Sequence, residues 1–323
     1  MDILKNRLNR RTLGGLTMGV AATGSLAYLV SAQDATPEVD SDMAATPVGA
    51  PALADLETAN QVDVVANNGS FAMFVAGENQ PGWYVFNVEN ASESDASFNL
   101  AKLPEGTEIG QFTSDLFQVV SGNATELPAY FAETEFAGGT LVPVGGTNST
   151  LVNLTAGEWV VFSSHVGSTQ GATTISVLSA EDNAAMGIEA AATPEGGEVA
   201  PEGFGSNFTV SVSDSSISAD AAPAVGANII GVRNDASVPA NFVVLHSAEA
   251  VDAAAAADLA NAWDAGEEVS ATVVGGMGVL SPNSYGYIEL NAEAGTYIGF
   301  SSLMNATGGS QVDDGAIIVV PVA

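Results

Sequence analysis

The feature that most constrains the fold is a long internal repeat. Two pairs of segments match: Asn87–Glu105 (NVENASESDASFNLAKLPE) with Gly231–Glu249 (GVRNDASVPANFVVLHSAE), and Gly138–Ser164 with Gly275–Ser302. In the first pair Asn90 corresponds to Asn234, and Phe98 to Phe242. A repeat of more than about 100 residues is too long for a solenoid unit, so it predicts a duplicated domain in which each copy buries its own core.

Two stretches rich in Ala, Pro, Thr and acidic residues each precede one of the repeated blocks. They lack apolar alternation and carry Thr-Pro pairs, as extended solvated linkers do. The predicted organisation is an export signal at 1–32, a disordered Ala/Pro/acid linker at 33–57, a first β-sandwich domain at 58–180, a second linker at 181–205, and a second β-sandwich domain at 206–323.

Within each block the apolar residues indicate mainly β-strands. We expect strands at 83–88, 149–154, 159–162 and 173–178 in the first block, and at 228–232, 285–290, 297–300 and 316–322 in the second. One helical insertion is expected per copy, at Glu249–Ala265, which is Ala-rich, and more weakly around Ser114–Val120. This pattern predicts an all-β fold of two tandem Greek-key β-sandwiches.

The N-terminus has the pattern of an export signal. Four basic residues within the first eleven positions precede a mild apolar stretch, and Val30-Ser31-Ala32 supplies a small-x-small cleavage motif. Asn9-Arg10-Arg11-Thr12-Leu13 resembles a twin-arginine signal. An uncleaved anchor helix over 12–32 is the alternative. The remainder has no apolar run of spanning length, so we expect a secreted, cell-surface or periplasmic protein.

Charge and cysteine usage exclude several functions. The formal net charge is −32, and only Lys102 and Arg233 among the six basic residues lie beyond the first eleven positions. Such a surface repels nucleic acid and anionic membranes. There is no cysteine, which removes disulfides and thiolate chemistry. The expected partners are an extracellular ligand or surface component, with weakly bound divalent cations.

The order of strands, together with two motifs, resembles the cupredoxin-like (blue-copper-type) domains of exported bacterial proteins. Leu103-Pro104-Glu105-Gly106 keeps a Leu-Pro-x-Gly turn of that family, and Gly157-Glu158-Trp159 and Gly295-Thr296-Tyr297 keep the start of its late strand. The resemblance implies a cupredoxin-like sandwich in both copies. In the family, a histidine follows the Asn-containing turn and a cysteine ends the late strand, and both bind copper.

The ligand positions depart from the family pattern. Ala96 and Ala240 stand where the first histidine is expected, and Ser163 and Ser301 stand where the cysteine is expected. A blue-copper site needs two imidazoles, a thiolate and a weak axial ligand. The expectation is therefore a duplicated fold that lacks the copper ligands, with no cofactor.

The two histidines, His165 and His246, lie at non-equivalent places in the repeat, so a symmetric metal site is not expected. A structural role is the simpler interpretation of each. Ser163 beside His165 could form a nucleophile–base pair, but no orienting acid or oxyanion hole is visible in the sequence. No catalytic residue is predicted.

Weaker candidates have ordinary explanations. Carboxylates at Glu93/Asp95, Asp313/Asp314 and Asp34–Asp42 could bind calcium, but close pairs arise by chance among 38 acidic residues. The Gly-rich stretch 275–278 lacks the Lys-Ser/Thr of a phosphate loop. Aromatic residues that could stack on sugars are expected in the core: Trp83, Trp159, Tyr285 and Tyr287. Glycosylation triplets begin at Asn68, Asn90, Asn123, Asn148, Asn153, Asn207 and Asn305.

The sequence predicts an exported, acidic, non-enzymatic protein that serves as a structural, adhesive or binding module. The alternative is a copper-handling or redox protein with an altered metal site.

Overall fold

A computed structural model describes residues 52–56, 59–76, 79–164, 171–185 and 204–323. The predicted export signal, nearly all of the first linker and most of the second lie outside these residues, as do His165 and the Asp34–Asp42 group. The predicted domain boundaries therefore stay predictions. Among the described residues, no helix combines the length and the apolar character needed to cross a bilayer.

The described chain consists mainly of β-strands. The first half contains β1 (Asn60–Asn67), β2 (Ser70–Ala76), β3 (Gly82–Asn90), β4 (Ala96–Lys102), β5 (Glu135–Val142), β6 (Thr147–Leu154), β7 (Gly157–Phe162) and β8 (Thr173–Val177). The second half contains β9 (Phe208–Ser213), β10 (Ser216–Ala219), β11 (Gly226–Asn234), β12 (Ala240–Ser247), β13 (Thr272–Leu280), β14 (Tyr285–Ala292), β15 (Gly295–Phe300) and β16 (Ile317–Val322).

Helices within the described residues are few and short. They are α1 (Ile109–Val120), α2 (Ala180–Ala185) and α3 (Ala253–Asp264), with single 3-10 turns at Leu53–Asp55 and Ala129–Ala132. The all-β class and the one helical insertion between the early and late strands of each half are confirmed.

The strands form two eight-stranded sheets, each shared by both halves. Sheet 1 has the order β10-β9-β11-β14-β6-β3-β1-β2, and sheet 2 has the order β16-β15-β12-β13-β5-β4-β7-β8. Counted outwards from the centre of each sheet, the equivalent strands of the two halves follow in the same order. We call the two central junctions, β14–β6 and β13–β5, the seam.

Each half fills the space between the sheets with its own apolar core. In the first half, Phe86 of sheet 1 packs against Phe98 of sheet 2, with ring centroids 5.0 Å apart. In the second half, β9 alternates strictly, so that Phe208, Val210 and Val212 point into the core and the residues between them face outwards. Each half thus has one core between the sheets, and further apolar clusters combine residues of both halves, such as Val85 with Ile229 and Tyr287.

Two local features differ from the sequence expectation. A hairpin, β1–β2 or β9–β10, precedes the strand that was expected to open each half, and β1 and β9 pair in parallel with β3 and β11. Helix α3 begins at Ala253 rather than at Glu249, because the Asp252 side chain caps it by accepting a hydrogen bond from the Ala255 amide at 2.9 Å.

The matched asparagines make the same turn in both halves. The side-chain amide of Asn90 donates to the carbonyls of Ser94 and Val142 at 2.9 and 3.0 Å. Asn234 donates to the equivalent carbonyls, at 3.0 and 2.9 Å. Both side chains are buried, so each ties the end of a sheet 1 strand to the opposite sheet.

The seam is short but well bonded. In sheet 2, Met277 pairs with Thr140 and Leu280 with Ala137, and in sheet 1 Ile288 pairs with Thr150. Side chains add to it: the buried Asn99 accepts a hydrogen bond from the Val279 amide at 2.8 Å, and the Thr150 hydroxyl donates to the Tyr287 carbonyl at 3.0 Å.

Gly278 permits this close approach of the halves. A Cβ atom at this position would lie 2.4 Å from the Asn99 Oδ1 atom and 2.9 Å from the backbone nitrogen of Gly139. The obstacle is largely backbone of the opposite half, which cannot rotate away as a flexible side chain can.

We expect Gly278→Ala to lower the free energy of unfolding by about 1–3 kcal/mol, the usual cost of overpacking. Gly110→Ala is the control, because a Cβ there would meet nothing within 4 Å; it should be neutral or gain up to about 1 kcal/mol from helix propensity. Urea unfolding of both variants checks this. Equal stability of the two variants would contradict the proposed tight seam.

Candidate functional site

The four positions that the resemblance assigns to copper ligands lie at equivalent ends of strands. Ala96 begins β4 and Ala240 begins β12, and both are buried in their cores. Ser163 directly follows β7, and Ser301 directly follows β15. The structure therefore places the sequence-predicted positions alike in both halves.

In the second half, hydrogen-bonded polar side chains occupy the strand ends around Ala240 and Ser301. The fully buried Ser301 donates from its hydroxyl to the Asn241 Oδ1 atom at 3.2 Å. Gln311, also fully buried, donates from Nε2 to the carbonyl of Pro239 at 3.1 Å, beside Ala240. Its Oε1 atom has no hydrogen-bond partner within the described part of the chain.

In the first half, a second hydrogen-bond network lies one residue after Ala96 and Ser163 along the chain. The Ser97 and Ser164 hydroxyls are 3.0 Å apart, and the Asn99 amide donates to them at 2.8 and 3.2 Å. Ser163 is half-buried. Because His165 lies outside the described residues, the structure does not test a Ser163–His165 pair.

These residues do not fit a blue-copper centre. Alanine offers no donor atom, and a neutral hydroxyl that is already committed to an amide oxygen is a poor substitute for a thiolate. Among the described residues at this place, Gln311 is the buried side chain with an unshared oxygen, and an amide oxygen alone does not hold copper tightly.

The two networks meet at the seam. Ser97 and Ser164 of the first half, with Asn241 and Ser302 of the second, line one cavity of about 20 Å³, and we call it the seam cavity. Ser302 accepts a hydrogen bond from Asn241 at 2.8 Å, which parallels the contact of Ser164 with Ser97.

His246 has a structural environment. Its ring lies 4.8 Å from that of Tyr297, and its Nε2 atom is 3.2 Å from the Ala294 carbonyl oxygen. Within the described residues, no group of three or more His, Cys, Asp or Glu side chains is arranged to hold a metal ion.

The candidate carboxylates serve local structure. Asp95 accepts a hydrogen bond from the Val144 amide at 3.2 Å, and Asp314 accepts one from the Asn305 side chain. The stretch Gly275–Gly278 lies inside β13 at the seam and forms no loop.

Three of the aromatic candidates, Trp83, Tyr285 and Tyr287, pack against one another, and Trp159 lies in the core of the first half. Trp83, Trp159 and Tyr287 are buried, and Tyr287 is 4.7 Å from both Tyr285 and Phe204, measured between ring centroids. Burial raises the pKa of Tyr287, with the hydrogen-bonded Tyr285 contributing. These rings are therefore not free to stack on a sugar.

The asparagines of the glycosylation triplets differ in their exposure to solvent. Asn90 and Asn305 are buried and hydrogen-bonded, Asn148 and Asn153 are half-buried, and Asn68, Asn123 and Asn207 are exposed. Access for a glycan is therefore best at the exposed three.

Sequence reasoning missed the polar residues that organise the region. Asn99, Asn241 and Gln311 were not singled out. The available signal was a polar residue within an otherwise apolar buried strand, at Asn99 and Asn241; Gln311 lies in a loop, where no periodicity marks burial.

Replacing Gln311 by glutamate tests the burial of this position. A buried carboxylate has a raised pKa, so Gln311→Glu should lose about 3–5 kcal/mol at pH 8. The deficit relative to the native chain should be smallest below about pH 4.3, the ordinary glutamate pKa, and should grow as the pH rises towards the raised folded value. Urea unfolding at several pH values measures it.

The exposed Gln111 on α1 provides the matched control. Gln111→Glu should stay within about 0.5 kcal/mol of the native chain at every pH. A pH-independent deficit in Gln311→Glu would argue that position 311 reaches water.

Comparisons with known proteins assign no family. No protein-family model and no curated protein matches the sequence. Similar solved structures include a dithionite-reduced auracyanin from Roseiflexus castenholzii, 16% identical, covering 37% of this chain and 99% of that chain with a TM-score of 0.25. They also include Lac15 from a marine microbial metagenome, 8% identical over 77% and 64% of the two chains, with a TM-score of 0.25.

A further solved structure, described as a multicopper oxidase, is 8% identical and covers 81% of this chain and 88% of that chain, with a TM-score of 0.21. At such identities and TM-scores the likeness carries no argument about function. The fold described above rests on the strands and sheets of the chain itself.

Proposed function

We propose that the protein is an exported, acidic and non-enzymatic structural or binding module of the cell surface or its surroundings, built from two cupredoxin-like domains that have lost their copper ligands. One observation carries the proposal. At Ala96, Ala240 and Ser301, the expected ligands are replaced by core-packed alanines and by a fully buried, hydrogen-bonded serine.

The continuous sheets support a structural role. A sheet that crosses the seam resists hinge motion between the halves, because bending would break backbone pairs such as Ile288–Thr150. A rigid, strongly acidic body suits an extracellular partner with basic groups, or one bridged by cations, and disfavours nucleic acid.

The cavities also favour a role without catalysis. The seam cavity, about 20 Å³, is too small for an organic substrate. The open groove beside α1 is lined by Asp115, Gln118, Thr125 and Glu126 among others, and its described lining residues include no serine–histidine pair.

Copper titration tests the loss of the ligands. After exposure to low-micromolar Cu(II) and dialysis, the purified chain should retain far less than one copper ion per molecule and show no intense visible absorption band. His246→Ala should behave identically, since that ring contacts Tyr297 and Ala294. One tightly held copper ion with a visible or paramagnetic signal would instead establish the copper-handling alternative.

Export depends on the N-terminal signal in this proposal. Arg10→Lys with Arg11→Lys keeps the charge but removes the twin-arginine motif, so we expect the chain to accumulate as uncleaved precursor inside the producing cell. Lys5→Arg is the charge-matched control and should be exported normally. Immunoblots of cell fractions give the answer, and undiminished export of the double variant would exclude the twin-arginine route.

A further inference from the structure

Strand β2 ends sheet 1 with one backbone edge open. Within the described residues, β1 is the only strand that pairs with β2, so the opposite edge presents amides and carbonyls without a strand partner. The strand reads SFAMFVA, with neither a charge nor a proline, and its register with β1 is uninterrupted. Charged residues, proline or bulges normally block further pairing at a sheet edge. β2 has none of these protections.

The other three sheet edges of the described chain are less suited to pairing. β10 has four residues, β8 has five, and β16 carries Pro321. β10 is the equivalent of β2 in the second half, and it turns Ile217 into the core and leaves Ser216 and Ser218 exposed. An added strand needs a run of free backbone groups. β2 offers the longest such run.

Apolar side chains are exposed on both faces of β2. Val75 is 36% exposed, and because it pairs with the core residue Val62 it faces the space between the sheets. Phe74 is 61% exposed and pairs with Asp63, so it lies on the outer face. Apolar side chains exposed beside an open strand edge are typical of a site that binds an extended peptide.

The charge around Phe74 is negative. Its cross-strand neighbour Asp63 is exposed and accepts a hydrogen bond from the Asn87 side chain at 3.2 Å. Glu93 is also exposed and lies at the β1–β2 turn, where its amide donates to the Asn68 side chain at 3.1 Å. A partner that brings basic side chains to this edge is therefore attracted to it.

A second copy of the chain is a poor match for the same edge. Only two basic residues lie beyond the first eleven positions, and both already make bonds within their own half. Lys102 donates to the Ala156 carbonyl at 2.6 Å, and Arg233 pairs with Asp235 at 2.5 Å. Pairing β2 with β2 of another copy sets one acidic surface against another, which opposes association.

We propose that the open edge of β2 binds an extended segment of another protein in which apolar and basic residues alternate, and that this segment extends sheet 1 by one strand. Its apolar side chains cover Met73 and Val75 at the open side of the core. Its basic side chains lie over the Phe74 ring, a cation–π contact, and point towards Asp63. The inference names the class of partner for the binding role proposed above and rests on that role.

A synthetic peptide of alternating valine and arginine, about nine residues long to span a strand, is the probe. Fluorescence anisotropy of the labelled peptide should show saturable one-to-one binding to the native chain at about 150 mM salt. The control peptide has the same composition with all valines before all arginines, and it should bind at least about tenfold more weakly. Equal binding of the two peptides would reveal only attraction to an acidic surface and would overturn the proposal.

Phe74→Lys should weaken binding of the alternating peptide about tenfold, because it removes the ring and sets a positive charge against a basic partner. Ser218→Lys is the matched control, since it adds the same charge at an exposed position of β10. Its affinity should stay within about twofold of the native value, because a distant surface charge is screened. Equal weakening by the two folded variants would exclude β2 as the site.

Hydrogen exchange locates the bound strand. Amides of β2 should exchange more slowly when the alternating peptide is bound, because they donate to the added strand, whereas amides of β10 should be unchanged. Slowing confined to segments other than β2 would contradict the proposal.

Sedimentation of the chain without peptide tests the second copy as occupant. We expect a monomer, and a dimer that Phe74→Lys abolishes would assign the edge to a second copy and overturn the proposal. None of these measurements depends on copper content or export, so failure of the β2 site is distinguishable from failure of the proposed function.

Discussion

The backbone pairing across the seam is the interaction on which the rest of the structure depends. β5 pairs with β13 and β6 with β14, so strands that would be edges in either half become central strands of shared sheets. Unpaired edges expose rows of backbone donors and acceptors. By covering them, the seam turns two sandwiches into one body, brings the networks around Ser97 and Asn241 together, and creates the cavity between them.

The two halves share the residues that fix the course of the backbone and differ at other positions. Asn90 and Asn234 make the same buried contacts. Gly139 and Gly276 have φ angles of 148° and 155°, and a Cβ at either would collide with the carbonyl oxygen of Phe98 or Phe242. Asn99, by contrast, occupies the place that Val243 has in the other half, so one half alone supplies the amide that crosses the seam.

The sequence predicts the parts of this fold that local chemistry determines. Alternating apolar residues located β3, β6, β7, β11, β14 and β15 to within two residues at each end, and the repeat identified the equivalent turns. The start of α3 was placed too early because alanine content indicates helix without indicating where the Asp252 cap stops it. The leading hairpins were missed although β9 alternates strictly, so the signal for that strand was available; β10, with only four residues, offers little pattern.

The candidate site was harder to predict than the fold. Which serines and asparagines face one cavity depends on the register between β13 and β5, and register across two distant segments leaves no local periodicity. The core positions of Ala96 and Ala240 follow from the sequence, whereas the filling of the second site by Gln311 depends on the path of a loop.

The shared sheets have a consequence for how the chain is made. Thr150 and Tyr287, which are bonded across sheet 1, are 137 residues apart. Closing so long a loop carries a large entropic cost, so contacts within each half should form first. The first half therefore leaves the ribosome with the backbone edges of β5 and β6 unpaired. Until the second half has been synthesised, these edges can pair with a strand of any neighbouring chain. A nascent chain of this kind has its greatest exposure to aggregation midway through synthesis, and its dense negative charge keeps such chains apart during that interval.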